Sequence, residues 1–222
     1  MTPASPSDLL KGAERENVRT RRDTKKRDAI LEAIKTLLLG GKTFAEISVG
    51  EITRVAGTSR STFYLHFEDK ADVIRDLIDD LIGELIAVTQ SANDDIEHAD
   101  RDDMRMALIA LAQVYRNHVA FFSAISEVAG SNPQINDRYR KMIEQAAFVR
   151  QKRVSLEQKT GQIPKDLPAY VPLALTWMVE RTISQNITAK TREIIVKDPK
   201  AMKVIDALTQ VIWSSLYGNN PG

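Results

Sequence analysis

The chain has 222 residues, of which 31 are Lys or Arg and 30 are Asp or Glu, for a formal net charge of +1; 43% are hydrophobic. That is the composition of a globular protein with chain enough for one or two buried cores. Cysteine is absent, which excludes disulfides, thiolate nucleophiles, iron–sulfur clusters and Cys-ligated zinc and suits a reducing cytoplasm.

The near-zero net charge conceals two unlike parts. Residues 1–70 hold 13 basic and 10 acidic side chains, and residues 71–222 hold 18 and 20. The bias is steepest over residues 11–27, where Lys11, Arg15, Arg19, Arg21, Arg22, Lys25, Lys26 and Arg27 face only Glu14, Glu16 and Asp23. A basic arm on an acidic body points to an anionic partner at one end, or else to a solvated tail.

Residues 1–23 are polar, contain Pro3 and Pro6, and read as a disordered arm. A helix is expected from Thr24, with Ile30, Leu31, Ile34, Leu37 and Leu38 at helical spacing, stopped by Gly40-Gly41. Ser48-Val49-Gly50-Glu51 is a capping box that opens a short helix, and Gly57 closes it. A third short helix is expected from Thr58 or Ser59 to His66. Asp69 then caps a long helix from Lys70 to about Thr89, striped by Ile74, Leu77, Ile78, Leu81, Ile82, Leu85 and Ile86.

Residues 91–103 read as an acidic linker. Further helices are expected at about 104–116, 118–129, 133–160, 168–189 and 199–217, with prolines at their edges. No run of alternating β-branched residues suggests a strand, so the fold class is all-α with about nine helices. The longest apolar uncharged run, Leu167 to Val179, is interrupted by Pro168 and Pro172 and is too short to cross a bilayer.

Two short helices over 49–56 and 59–66, joined by a tight turn at Gly57, have the layout of a helix–turn–helix, in which the second helix enters the major groove. That second helix offers Arg60, Ser61, Thr62, Tyr64 and His66 on its polar side, while Phe63 and Phe67 face inward. Arg60 is placed to grip guanine O6 and N7. Thr62, Tyr64, His66 and Lys70 suit phosphates, which fix register. A helical hairpin with exposed polar side chains is the plainer alternative.

The stretch from Thr24 to Leu77, above all ISVGEITRVAGTSRSTFYLHFEDKADVIRDL, resembles the DNA-binding domain of tetracycline-repressor (TetR) family regulators. The resemblance implies a cytoplasmic, dimeric, ligand-responsive transcription factor that binds a near-palindromic operator, most often as a repressor. By position, Arg60 and Ser61 resemble base-reading sites. Thr62, Tyr64, His66, Lys70 and Ser48 resemble phosphate contacts. Gly50 stands where many members carry a polar reader.

Residues around Thr176 and over 204–220 are similar to the ethionamide-resistance repressor subgroup, in which the penultimate and last helices line an apolar ligand channel. Thr176, Val179 and Trp213 fall at matching positions and imply contacts to a small apolar effector. The domains implied are an arm at 1–23, a DNA-binding domain at 24–69 and a ligand-binding and dimerisation domain at 70–222. Met104, Leu108, Leu111, Phe121, Phe122, Phe148, Tyr170, Trp177 and Trp213 are the large apolar residues expected in its core or against its ligand. Pairing of helices 168–189 and 199–217 with symmetry mates would make the dimer.

Nothing in the sequence carries an enzyme's chemistry: there is no HExxH, P-loop, dinucleotide fingerprint or nucleophile elbow. Asp95-x-x-His98 is half of a carboxylate–histidine pair without a helical partner. No catalytic residue, metal or cofactor is expected. A nucleoid-type DNA binder without an effector and a helical protein-interaction module are the competing readings.

Overall fold

The computed structural model describes the backbone of residues 6–94, 100–187 and 194–218, and the side chains of 23–88, 100–187 and 194–218. Among the described residues every regular element is helical. The chain divides into two compact units, residues 1–76 and 77–222.

The first unit holds α1 (Pro6–Leu39), α2 (Val49–Val55), α3 (Arg60–His66) and the start of α4 (Lys70–Asp94). The backbone of α1 is helical from Pro6, well ahead of Thr24, which corrects the expectation of a disordered arm; residues 1–5 lie outside the described residues. Physical reason is at hand: past Pro6 the arm has no further proline and is rich in Leu, Ala, Glu, Lys and Arg, all strong helix formers. Gly41, at φ 90°, ends α1 where the sequence places the stop.

Ile30, Ile34, Ile47, Ile52, Phe63 and Ile74 are almost wholly buried and form this unit's core. Arg27 pairs with Asp76 at 2.6 Å, tying α1 to α4.

The second unit holds the rest of α4 with α5 (Arg101–Asn117), α6 (Val119–Ala129), α7 (Pro133–Thr160), α8 (Val171–Asn186), a 3-10 turn (Ile195–Lys197) and α9 (Pro199–Tyr217). Its helix starts are written in side chains. Asp100 and Asp103 form a capping box on α5, and Asn132 caps α7 by accepting from the Gln134 and Ile135 amides at 3.0 and 3.1 Å. Pro133 and Pro199 occupy first-turn positions, where no amide hydrogen is missed. Gly161, at φ 81°, closes α7 in the left-handed conformation.

α7 packs against α8 and α5 against α9. Leu108, Ala112, Ile125, Met142, Ile183, Ile205 and Ile212 make the core. Phe148 and Tyr170, expected inside, are exposed. Phe148 stands on the outer face of α7 with Lys152 Nζ 4.7 Å from its ring centre, and Tyr170 is the residue before α8 begins, outside the packed turns.

One charged contact anchors α9 deeply. Asp198 caps its first turn through the Lys200 and Ala201 amides, at 3.0 and 3.1 Å, and also accepts from the buried Arg116 of α5. The Ala201 amide and then Arg116 hold the Asp198 carboxyl below the usual carboxylate range.

Candidate nucleic-acid interface and ligand cavity

The bracing helix α2 is fixed at its start. Ser48 Oγ accepts from the Glu51 amide at 3.2 Å, and the Ser48 amide donates to Glu51 Oε2 at 3.1 Å. Lys42 donates to the other carboxylate oxygen of Glu51. Lys42 first, then the Ser48 amide and hydroxyl, pull the Glu51 pKa down to about 2. Ser48 is exposed, with its hydroxyl engaged in this box.

Gly57, at φ 61°, makes the turn. Ser59 then caps α3, accepting from the Thr62 amide at 3.1 Å, and its hydroxyl meets those of Ser61 and Thr62 at 2.8 and 2.9 Å. Phe63 is fully buried and Phe67 nearly so. With these two facing inward, helical periodicity turns Arg60, Ser61, Tyr64 and Leu65 outward, and all four are exposed. Thr62 and His66 flank that face and are half-buried. Leu65, at 80% exposure, was missed by the sequence reading. Its signal was its register: one residue past Tyr64 on a helix whose inward face is already filled by Phe63 and Phe67.

Lys70 is placed differently from expectation. Its ammonium donates to the carbonyls of Phe44, Ala45 and Ile47 at 2.8, 3.2 and 3.0 Å, and lies 4.6 Å from the centre of the Phe44 ring. An ammonium has three donors, so all are spent on the loop between α1 and α2. Lys70 positions the bracing helix here rather than offering a free charge.

Arg60 has an unusual neighbour. A Cβ built on Gly50 would stand 2.9 Å from Arg60 Nη2, closer than nonbonded atoms sit. The bare backbone of α2 is therefore what lets the Arg60 guanidinium lie across it.

The second unit contains a cavity of about 80 Å³, space for several waters. Its walls are mostly apolar: Leu85, Leu108, Met142, Ile143 and Ile212. Thr176 and Val179 of α8 line it, as the sequence suggested; Trp213 does not, although its neighbour Ile212 does. Trp213 turns instead onto Tyr217, the rings stacked at 4.3 Å. The Thr176 hydroxyl donates to the Pro172 carbonyl at 2.8 Å, so towards the cavity it has only lone pairs to offer.

Three polar residues of the wall were not anticipated: Tyr115 on α5, Arg150 on α7 and Glu180 on α8. Glu180 is buried and accepts from the Tyr139 hydroxyl. Burial first, and then the Glu180 charge, raise the pKa of both Tyr115 and Tyr139, which stay protonated hydrogen-bond donors. Arg150 continues the Met142, Ile143 and Ala146 stripe of α7 by one helical step, and that break in an otherwise apolar stripe is visible in the sequence.

Among the described residues, no group of three His, Asp or Glu side chains is arranged to hold a metal ion, and no helix is long and apolar enough to cross a membrane. Asp95 and His98 lie outside the described residues.

A helix–turn–helix with an exposed second helix, joined in one chain to a helical unit with an apolar cavity, defines a DNA-binding transcriptional regulator. Residues 30–77 match the model for bacterial regulatory proteins of the tetR family, and residues 104–218, just over half of the chain, match that for the C-terminal domain of the transcriptional regulator EthR. The chain belongs to the TetR family of transcriptional regulators, with an EthR-type C-terminal domain.

Its relatives include the HTH-type transcriptional regulator EthR of Mycolicibacterium smegmatis, 28% identical over 88% of each chain. The EthR of Mycobacterium tuberculosis is 26% identical over 87% of this chain and 88% of its own length. Solved structures share the fold at lower identity. Salmonella enterica GusR superposes with a TM-score of 0.67 at 17% identity, covering 86% of this chain and 95% of its own. The TetR family regulator PfmR of Thermus thermophilus gives 0.61 at 18%, covering 86% and 98%.

Proposed function

We propose that this protein is a ligand-released repressor: a homodimer that holds a near-palindromic operator and lets it go when a small, largely apolar effector occupies the cavity of the C-terminal domain. The observation that carries the reading is the pairing, in one chain, of an exposed Arg60, Ser61, Tyr64 and Leu65 face with a separate apolar cavity. A DNA binder without an effector has no use for the second feature.

In this reading residues 24–69 bind DNA, and residues 70–222 bind the effector and dimerise. Arg60 and Ser61 read bases, Tyr64, Thr62, His66 and Ser48 meet phosphates, and Leu65 supplies an apolar contact of the kind thymine methyls accept. Lys70 acts through the loop it braces. Dimerisation draws support from α8, whose Leu173, Trp177 and Met178 are only partly buried, and from the exposed Val211 on α9. Two-fold pairing there spaces the recognition helices by about 34 Å, one turn of DNA. The effector shifts the dimer towards a population whose helices no longer match that spacing. Regulation without catalysis is the whole of the activity, and the cytoplasm is its place.

Selection of binding sites from random duplexes tests the reading. The selected site is expected to be a near-palindrome, and Arg60→Ala is expected to relax one position of each half-site by about 1–3 kcal/mol. Unchanged affinity and selectivity in Arg60→Ala and Tyr64→Ala would refute the assignment of α3. A selected site bound equally well with and without every apolar compound that stabilises the protein would favour the effector-free DNA binder.

A further inference from the structure

The cavity is apolar, yet it is not neutral. Arg150 lines it, is partly buried, and makes no hydrogen bond or ion pair with any described residue. The acidic neighbour that should serve it is already committed. Glu157 accepts from Arg153 Nε through Oε1 at 2.6 Å and from the Tyr217 hydroxyl through Oε2 at 2.8 Å. Arg153 and Glu157 thus bond to each other, and Arg150 is the one cation among the described residues that line the cavity. Burial pushes the Arg150 pKa down while Tyr217 and Glu157 push it up, and a guanidinium stays charged throughout.

The one carboxylate of the wall bonds elsewhere. Glu180 is held by Tyr139, and Tyr139 lies eleven residues before Arg150 on the same helix, about 16 Å along its axis. The two ends therefore differ in sign, with an apolar floor of Met142, Ile143 and Ala146 between them. An arginine without a hydrogen-bond partner at a cavity wall is placed to receive a carboxylate through two parallel hydrogen bonds.

We infer that the effector is an anionic amphiphile, a medium-chain carboxylate in class, whose head is received by Arg150 and whose chain runs along α7 towards Tyr115 and Glu180. The inference rests on the cavity being the effector site and replaces a merely apolar ligand by a charged-headed one. The Glu180 end rejects a second anion, so a dicarboxylate of the same length is excluded. Thr176, offering only lone pairs, gives the head nothing and leaves recognition to Arg150.

Isothermal titration at neutral pH with hexanoate, octanoate, decanoate and laurate, each against the alcohol of the same length, tests this. For at least one length the carboxylate is expected to bind the wild-type protein about tenfold or more tighter than the alcohol. Arg150→Met is expected to abolish that preference while leaving the alcohol's affinity in place, and Arg150→Lys to keep part of it. Equal binding of acid and alcohol to the wild type overturns the inference but leaves an apolar effector standing. So does an Arg150→Met protein, folded by circular dichroism, that loses both affinities alike, since Arg150 then shapes the cavity rather than reading a charge. Binding that survives unchanged in the cavity-filling Val179→Trp protein, or no binding by either series, overturns the effector site itself along with its charge preference.

Discussion

The two units hold their exposed chemistry in opposite ways. In residues 1–76 the starts of α2 and α3 are set by bonds closed over three residues, Ser48 with Glu51 and Ser59 with Thr62, on a core of buried isoleucines and Phe63. In residues 77–222 the polar groups of the cavity come from α5, α7 and α8, brought together by helix packing and by long-range bonds such as that of Tyr139 to Glu180. The first arrangement is local at each helix start. The second can be altered by any shift of one helix against another.

The largest test of that contrast is Phe63→Ala. Emptying a fully buried phenylalanine site costs about 3–5 kcal/mol, a large share of a small unit's stability. DNA affinity is expected to vanish. Both tryptophans, Trp177 and Trp213, lie in residues 77–222, so their emission reports that unit alone and is expected to hold. If emission collapses together with DNA binding, the two units are one folding entity and the contrast fails.

Asp198→Ala strikes the second unit. It removes the α9 cap and leaves the buried Arg116 without this carboxylate, for a loss of about 3 kcal/mol or more; Asp198→Asn keeps a capping oxygen and is expected to recover about 1 kcal/mol. Thermal melts of the three proteins check the order. An Asn protein no better than Ala would show that the cap contributes nothing and the ion pair everything.

Lys70→Met is expected to lower the melting temperature of the DNA-binding unit by an amount equivalent to about 1–3 kcal/mol, because three loop carbonyls lose their donor. If instead stability holds and only the salt dependence of DNA binding flattens, Lys70 is a phosphate contact after all.

The smallest effect is at Glu51. Its pKa in the folded protein is about 2, below the unfolded value of about 4.3, so its contribution is complete above the unfolded value and fades as pH falls towards 2. Glu51→Gln is accordingly expected to melt below the wild type at pH 7, with the gap narrowing as pH falls below about 4 and closing only below about 2. A gap independent of pH would mean that shape, not charge, makes the capping box.

The same contrast explains how much could be read without a structure. α2 and α3 were legible nearly to the residue because Ser48, Glu51, Gly57 and Ser59 act on amides and dihedrals beside them. The starts of α7 and α9 were legible through Pro133 and Pro199. Helical periodicity carried the all-α class, and the family resemblance pointed to Thr176 and Val179, which line the cavity. What failed was tertiary. Lys70 reaches loop carbonyls more than twenty residues away, which no spacing rule foresees; Trp213 stacks on Tyr217, four residues on along α9, a local pairing that helical spacing allows. Arg150 and Glu180 gain meaning only when α7 and α8 lie side by side. The arm before Thr24 was misread for another reason: polarity was weighed above helix propensity, and backbone follows the latter.

One glycine carries a consequence beyond packing. Any residue but glycine at position 50 puts a Cβ where the Arg60 guanidinium lies, and the end of a flexible side chain gives way at little cost to the fold. The identity of residue 50 therefore sets where the Arg60 guanidinium can lie. A single substitution there would leave the fold standing and aim the arginine differently, so position 50 controls Arg60 without touching it.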